Sequence, residues 1–183
     1  MKIGIANGVL AAALVFAGGR AMEAWGPAPA QGASDSDGVR QWGPEACGPA
    51  SVATVLAIYR RPWDRATLER ECRTGPGGSP LASLRDALRR SGLSAEVRRA
   101  TEPDGLRRWA TPYLIRLGPH HCGVVLRERD GRLDVFDPGP GQVTPWTTPE
   151  LYRTSGGAAI VPGESFGPAS RVIAATDEKE TDR

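Results

Sequence analysis

The sequence predicts an α+β domain in which N-terminal helices pack on an antiparallel sheet. Three observations predict it. Apolar residues recur at helical spacing through residues 47–90, apolar and polar residues alternate from residue 94 onward, and Asp130-Gly131 stands between two apolar runs as a hairpin turn. Helices first and strands second is the pattern of segregated layers.

Gly43 and Pro44 punctuate the chain before a segment in which Val52, Val55, Leu56 and Tyr59 fall at i, i+3, i+4 and i+7. This spacing predicts a helix, beginning near Cys47, that buries one face. A second helix is expected from Asp64, a good N-cap, to Cys72. The Gly-rich loop 74–79 ends it and leads into a third helix, Leu81–Arg90, with Leu81, Leu84 and Leu88 along one stripe. The period then changes to two. Residues 94–100 and 112–117 read as strands, the latter with Tyr113, Ile115 and Leu117 alternating. Residues 122–138 read as a hairpin, and the apolar run that follows the Gly156-Gly157 turn reads as a last short strand.

The expected folded unit spans residues 39–162 of 183. Before it, Lys2 precedes an apolar run over residues 3–17, short of the roughly 20 residues that cross a bilayer. Gly19 and Ala21 put small residues where a signal peptidase inspects them. Residues 1–21 are therefore expected to be a signal peptide or an N-terminal anchor, and the domain to be exported, periplasmic, extracellular or tethered facing outward. Residues 22–38, rich in Ala, Gly, Pro, Ser and Asp, read as a flexible linker, and residues 163–183 as a disordered tail.

Composition narrows the function classes. Lys plus Arg number 23 against 21 Asp plus Glu, a net charge of +2, and the arginines are dispersed, so no nucleic-acid partner is implied. A membrane enters only through the N-terminal segment. Three cysteines are too few for a disulfide scaffold and form no paired Cys-x-x-Cys motif, so no metal and no cofactor is expected.

Four residues stand in an order that suggests chemistry. Cys47 opens the first helix, where the positive end of the helix dipole and unpaired N–H groups favour thiolate, the nucleophilic form. Taken alone, it reads sooner as a buried inert thiol. The only two histidines, His120 and His121, open a strand, and adjacent strand residues point to opposite faces, so one of them faces the helix terminus. Asp137 ends the second strand of the hairpin. It lies beside the start of the first, where a carboxylate would orient the His121 ring; Asp137-Pro138 is also an ordinary turn starter. Gln41, six residues before Cys47, carries a side-chain amide able to donate to an oxyanion together with the Cys47 N–H, or is a surface glutamine.

The run Gln41-Trp42-Gly43-Pro44-Glu45-Ala46-Cys47-Gly48-Pro49-Ala50-Ser51, then Gly78-Ser79 opening an amphipathic helix, His121-Cys122-Gly123-Val124-Val125, and Asp137-Pro138-Gly139-Pro140-Gly141 resemble the papain-like bacteriocin-processing cysteine peptidases. Members of that family include the peptidase domains of ABC exporters that cut leader peptides after a Gly-Gly pair. The resemblance covers about residues 39–155 and implies a papain-like cysteine peptidase fold acting on a peptide or protein substrate. It also implies roles: Cys47 as nucleophile, His121 as general base and acid, Asp137 as orienter and Gln41 as oxyanion donor. Ala46 stands where exporter domains usually have an acidic residue, and Cys47-Gly48-Pro49-Ala50-Ser51 is closer to stand-alone members. A leader-binding module without catalysis and a thioester-forming acyl transferase are the alternatives on the same fold. Cys122, next to His121, is expected to point away from the site, free to pair with Cys72 in an oxidising compartment or to remain an ordinary buried thiol.

Overall fold

The computed structural model describes residues 38–164. The expected signal peptide, nearly all of the linker, and the tail beyond Glu164 lie outside the described residues. Three helices come first: Cys47–Ile58 (α1), Arg65–Glu71 (α2) and Leu81–Arg90 (α3). Six strands follow: Leu93–Arg99 (β1), Tyr113–Gly118 (β2), His121–Arg129 (β3), Arg132–Asp137 (β4), Gln142–Thr147 (β5) and Ala158–Glu164 (β6). A 3₁₀ helix, Pro103–Arg108, follows β1, and a fourth helix, Thr148–Ser155 (α4), precedes β6. β6 carries the fold through Gly163 and Glu164, two residues into the expected tail, by pairing them with Ser94 and Leu93.

Local chemistry accounts for the element boundaries. Asp64 caps α2 by accepting the Thr67 N–H at 2.9 Å, as its position suggested. Asp130 and Gly131 both hold positive φ, 51° and 76°, the backbone of a type I′ turn that matches strand twist. Gly156 and Gly157, with φ of 62° and 72°, form the turn expected before β6. α4, absent from the sequence reading, carries a capping box: Thr147 and Glu150 each bond the other's backbone N–H.

The sheet is antiparallel throughout, in the order β1-β6-β2-β3-β4-β5. Pleating sends alternate side chains to opposite faces. Leu114, Val124, Phe136 and Ile160 enter the core shared with α1, α2 and α3. Tyr113, Ile115, Val125, Val135 and Ala159 enter a second core, closed by Leu151 of α4 and Leu106 of the 3₁₀ helix. Both faces of the sheet are therefore covered, where the sequence accounted for helices on one. β5 escaped prediction because Pro145 interrupts its pattern, and the fold tolerates that proline because β5 is an edge strand.

α1 differs from expectation in its surroundings. Every residue from Cys47 to Leu56 is buried, so the helix is enclosed on all sides by α2, α3 and the sheet. Small residues between the periodic ones permit this. A Cβ added to Gly48 would lie 2.9 Å from the Ser79 Cβ. Among the described residues, no helix is long and apolar enough to cross a membrane.

Candidate active site

α1 presents Cys47 as its first residue, 3% exposed, at the end where helical N–H groups lack partners. Ala46 holds the N-cap position and supplies no side-chain cap, so the positive end of the helix is left to the Cys47 sulfur. As a neutral thiol, the sulfur reaches the His120 carbonyl oxygen at 3.6 Å.

The β3–β4 ladder supplies the next two groups. Val124 pairs with Phe136, so the first residue of β3 lies beside the last of β4. There the His121 Nε2–H donates to Asp137 Oδ1 at 2.6 Å, and the same oxygen accepts the Gly139 N–H at 2.8 Å. With Nε2 committed to Asp137, Nδ1 is the ring nitrogen left for Cys47. The neighbouring His120 is exposed, with Nδ1 3.3 Å from the Gly77 carbonyl oxygen.

The electrostatics of the pair agree in sign. A hydrogen bond from the Cys122 thiol, and then the hydrogen bond and positive charge of His121, bring the Cys47 thiol down to about 4 against the opposing effect of burial. Hydrogen bonding to Cys47, then to Asp137 together with the Asp137 charge, raises His121 to about 9, again against burial. Between about pH 4 and about pH 9 the proton therefore resides on the ring and the charge on the sulfur.

Gln41 also reaches this corner. Its backbone N–H donates to the Pro138 carbonyl at 2.9 Å, tying it to the turn that follows Asp137. Its Oε1 is buried and has no hydrogen-bond partner among the described residues. A Cβ built on Gly139 would lie 3.2 Å from Asp137 Oδ1, 3.6 Å from His121 Cε1 and 3.8 Å from Gln41 Oε1. Gly139 is thus the spacer around which three of the four sequence-selected residues gather, and the fourth, Cys47, adjoins them through His121. The sequence reading assigned Gly139 no such role, because its requirement arises from neighbours distant in the chain.

One expectation about the cysteines is corrected. Cys122 does not point away from the site. α1 packs on the face of β3 occupied by Cys122 and Val124, which brings the Cys122 thiol and backbone N–H to Cys47. His121, at the strand's first position opposite a register shift between Arg116 and Gly118, is not held to the pleat alternation on which that expectation rested. Of the two fates left open for Cys72 and Cys122, the structure has the unpaired one: all three cysteines are free and buried. Burial pushes the Cys72 thiol up to about 12, and Cys122, bonded to Cys47 and deeply buried, is also held protonated. Among the described residues no group of three or more His, Cys, Asp or Glu side chains is arranged to hold a metal ion.

Comparison with known proteins converges on one group. The family model described as the peptidase C39 family matches residues 36–151. Among solved structures, the chain is similar to a double glycine motif protease from an AMS/PCAT transporter, solved in complex with its leader peptide. The identity is 26%, with 68% of this chain and 89% of that one covered, at a TM-score of 0.62. The peptidase domain of ComA from Streptococcus, a bifunctional ABC transporter involved in quorum sensing, shares the fold. It matches at 22% identity and a TM-score of 0.63, covering 70% of this chain and 98% of that one. The N-terminal peptidase C39-like domain of a toxin secretion ATP-binding protein from Vibrio parahaemolyticus shares it at 17% identity and 0.53, covering 64% and 96%. No curated protein matches the chain.

Proposed function

The chain belongs to the peptidase C39 family and is a cysteine-type peptidase with the family's papain-like fold, and from that premise we propose that Cys47, His121, Asp137 and Gln41 carry its chemistry. The observation that supports this most directly is the continuous chain of contacts from Cys47 through His121 to Asp137, with the proton held on the ring.

In this reading the Cys47 thiolate attacks the carbonyl carbon of the scissile amide, and the carbonyl electrons move to oxygen. The Cys47 N–H and the Gln41 side-chain amide stabilise that oxyanion. Collapse breaks the C–N bond, and His121 delivers its Nδ1 proton to the departing amine. A thioester remains on Cys47. Neutral His121 then takes a proton from water, the hydroxide attacks the thioester, and the acid departs as the thiolate and imidazolium are restored. Asp137 holds the ring with Nε2–H facing it throughout, which keeps Nδ1 directed at the sulfur.

The substrate class we propose is a leader-bearing precursor cut after a Gly-Gly pair. The similarity to the double glycine motif protease supports this. The apolar run over residues 3–17 supports a further proposal, that the domain works outside the cytoplasm. The N-terminus of the protein recovered from an extracytoplasmic fraction tests it, and recovery only in cytosol overturns it.

The decisive experiment is mass spectrometry of products from a synthetic precursor containing one Gly-Gly pair, with Cys47→Ala as control. Cleavage after the second glycine, absent in Cys47→Ala, is expected. Cleavage by Cys47→Ala would sink the nucleophile assignment, and cleavage elsewhere would sink only the substrate class.

A further inference from the structure

Gln41 must keep its amide at the oxyanion position, yet its Oε1 makes no hydrogen bond that would hold the side chain there. Besides the bond from its own backbone N–H to the Pro138 carbonyl, its flanking residues hold Gln41. On one side the Val39 N–H is bound to Thr54 Oγ1 of α1 at 2.9 Å. On the other, Trp42 is gripped by α2 and the turn before it. The Trp42 Nε1–H donates to Glu69 Oε1 at 2.5 Å, and Trp63 stacks on the indole with ring centroids 6.4 Å apart and planes 9° apart. The Arg65 guanidinium covers the indole at 5.3 Å from its centroid and donates to the same Glu69 oxygen at 3.1 Å.

The arrangement closes on itself. Glu69 accepts from both Trp42 and Arg65, and Arg65 lies over the ring whose N–H Glu69 binds. An indole held at its face and its edge cannot rotate without breaking a charge-assisted hydrogen bond and a cation–π contact together. The backbone of Trp42, and so of its neighbour Gln41, is set accordingly. None of the hydrogen bonds and ring contacts of this cluster involves Cys47 or His121.

We propose that Glu69, acting through Trp42, is a positioning residue for the oxyanion donor Gln41, so that α2 governs oxyanion stabilisation without taking part in forming the thiolate. The inference rests on the role given to Gln41 above. It predicts a split between two reactions of the same sulfur. Acylation by p-nitrophenyl acetate passes through a tetrahedral oxyanion, whereas alkylation by iodoacetamide is a displacement at saturated carbon and forms none.

The test is to measure both rate constants on the full chain for wild type, Gln41→Ala, Glu69→Leu, Glu69→Gln, Trp42→Phe and the double variant Gln41→Ala/Glu69→Leu, with Cys47→Ala as blank. Gln41→Ala is expected to slow acylation by about tenfold or more and leave alkylation within twofold. Glu69→Leu and Trp42→Phe, which remove either end of the hydrogen bond, are expected to slow acylation about fivefold with alkylation again unchanged, and Glu69→Gln, which keeps an acceptor, to restore most of it. In the double variant the Glu69→Leu loss should vanish, because its effect passes through Gln41.

The failures are distinguishable. If Gln41→Ala leaves acylation intact, or Cys47 is not acylated in wild type, the proposed function is wrong at that residue. If Gln41→Ala slows acylation but Glu69→Leu and Trp42→Phe do not, or slow alkylation equally, or Glu69→Leu costs the same with and without Gln41, the positioning role alone is overturned.

Discussion

His121 and Asp137, sixteen positions apart in the chain, meet at 2.6 Å where β3 begins and β4 ends. The contact leaves one ring nitrogen for Cys47 and brings a second negative charge to the imidazolium, so that Cys47 and Asp137 together raise the His121 pKa to about 9. An Asp137→Asn substitution keeps an oxygen acceptor and removes the charge. The His121 pKa should fall, and the alkaline limb of the activity profile should move to lower pH with it. An NMR titration of His121 in both proteins checks this, and an unchanged midpoint would remove Asp137 from the electrostatics of the site.

The thiolate–imidazolium pair sets a pH window. Cys47 carries its charge above about pH 4, and His121 keeps its proton below about pH 9. Cys47 alkylation by iodoacetamide should therefore be nearly level across that interval and fall away as pH drops through about 4. Peptide cleavage, which needs the ring proton for the leaving amine, should fall again above about 9. A single rise near the ordinary thiol value of about 8.5 would contradict the pair outright.

Cys122 makes a separate prediction because its thiol is the largest influence favouring the Cys47 thiolate. Cys122→Val fills similar space without a donor and should raise the alkylation midpoint of Cys47 by about one unit, while Cys122→Ser, which keeps a donor, should leave it near the wild-type value. The two curves, recorded with the labelled residue located by peptide mapping, decide the matter. Identical midpoints in Val and wild type would mean that helix and histidine suffice.

Gly139 is expected to be intolerant for steric reasons. Its added Cβ would press on Asp137 Oδ1 at 3.2 Å and sit close to His121 Cε1 and Gln41 Oε1. Gly139→Val should cut turnover by about tenfold or more, with thermal stability nearly unchanged because the turn lies at the rim of the core. Full activity in Gly139→Val would show that the site yields around it.

Much of this protein was legible locally. The N-cap Asp64, the Asp130-Gly131 turn and the two hydrophobic periods each act over a few residues, and the structure has α2, the β3–β4 hairpin and α3 where they predicted. The order Gln41, Cys47, His121, Asp137 was likewise visible, because a hairpin's geometry converts a turn position into a neighbour relation and so put Asp137 beside His121. Missed elements have weak or interrupted local patterns, as in β5 with its Pro145. The capping box of Thr147 and Glu150 is the one signal that would have revealed α4.

The sequence by itself determined the class of the chemistry through its resemblance to the bacteriocin-processing cysteine peptidases, which rests on a cysteine at a helix start, a histidine at a strand start and a carboxylate across a hairpin. Which face of β3 meets α1 is a matter of layer packing, and no period in β3 encodes it. Only the tertiary structure therefore decided that Cys122 supports Cys47 in place of pairing with Cys72, that α1 is enclosed on every side, and that Trp42 is held by α2. Each of these depends on surfaces brought together from distant parts of the chain, where close packing, and no local propensity, selects the neighbour.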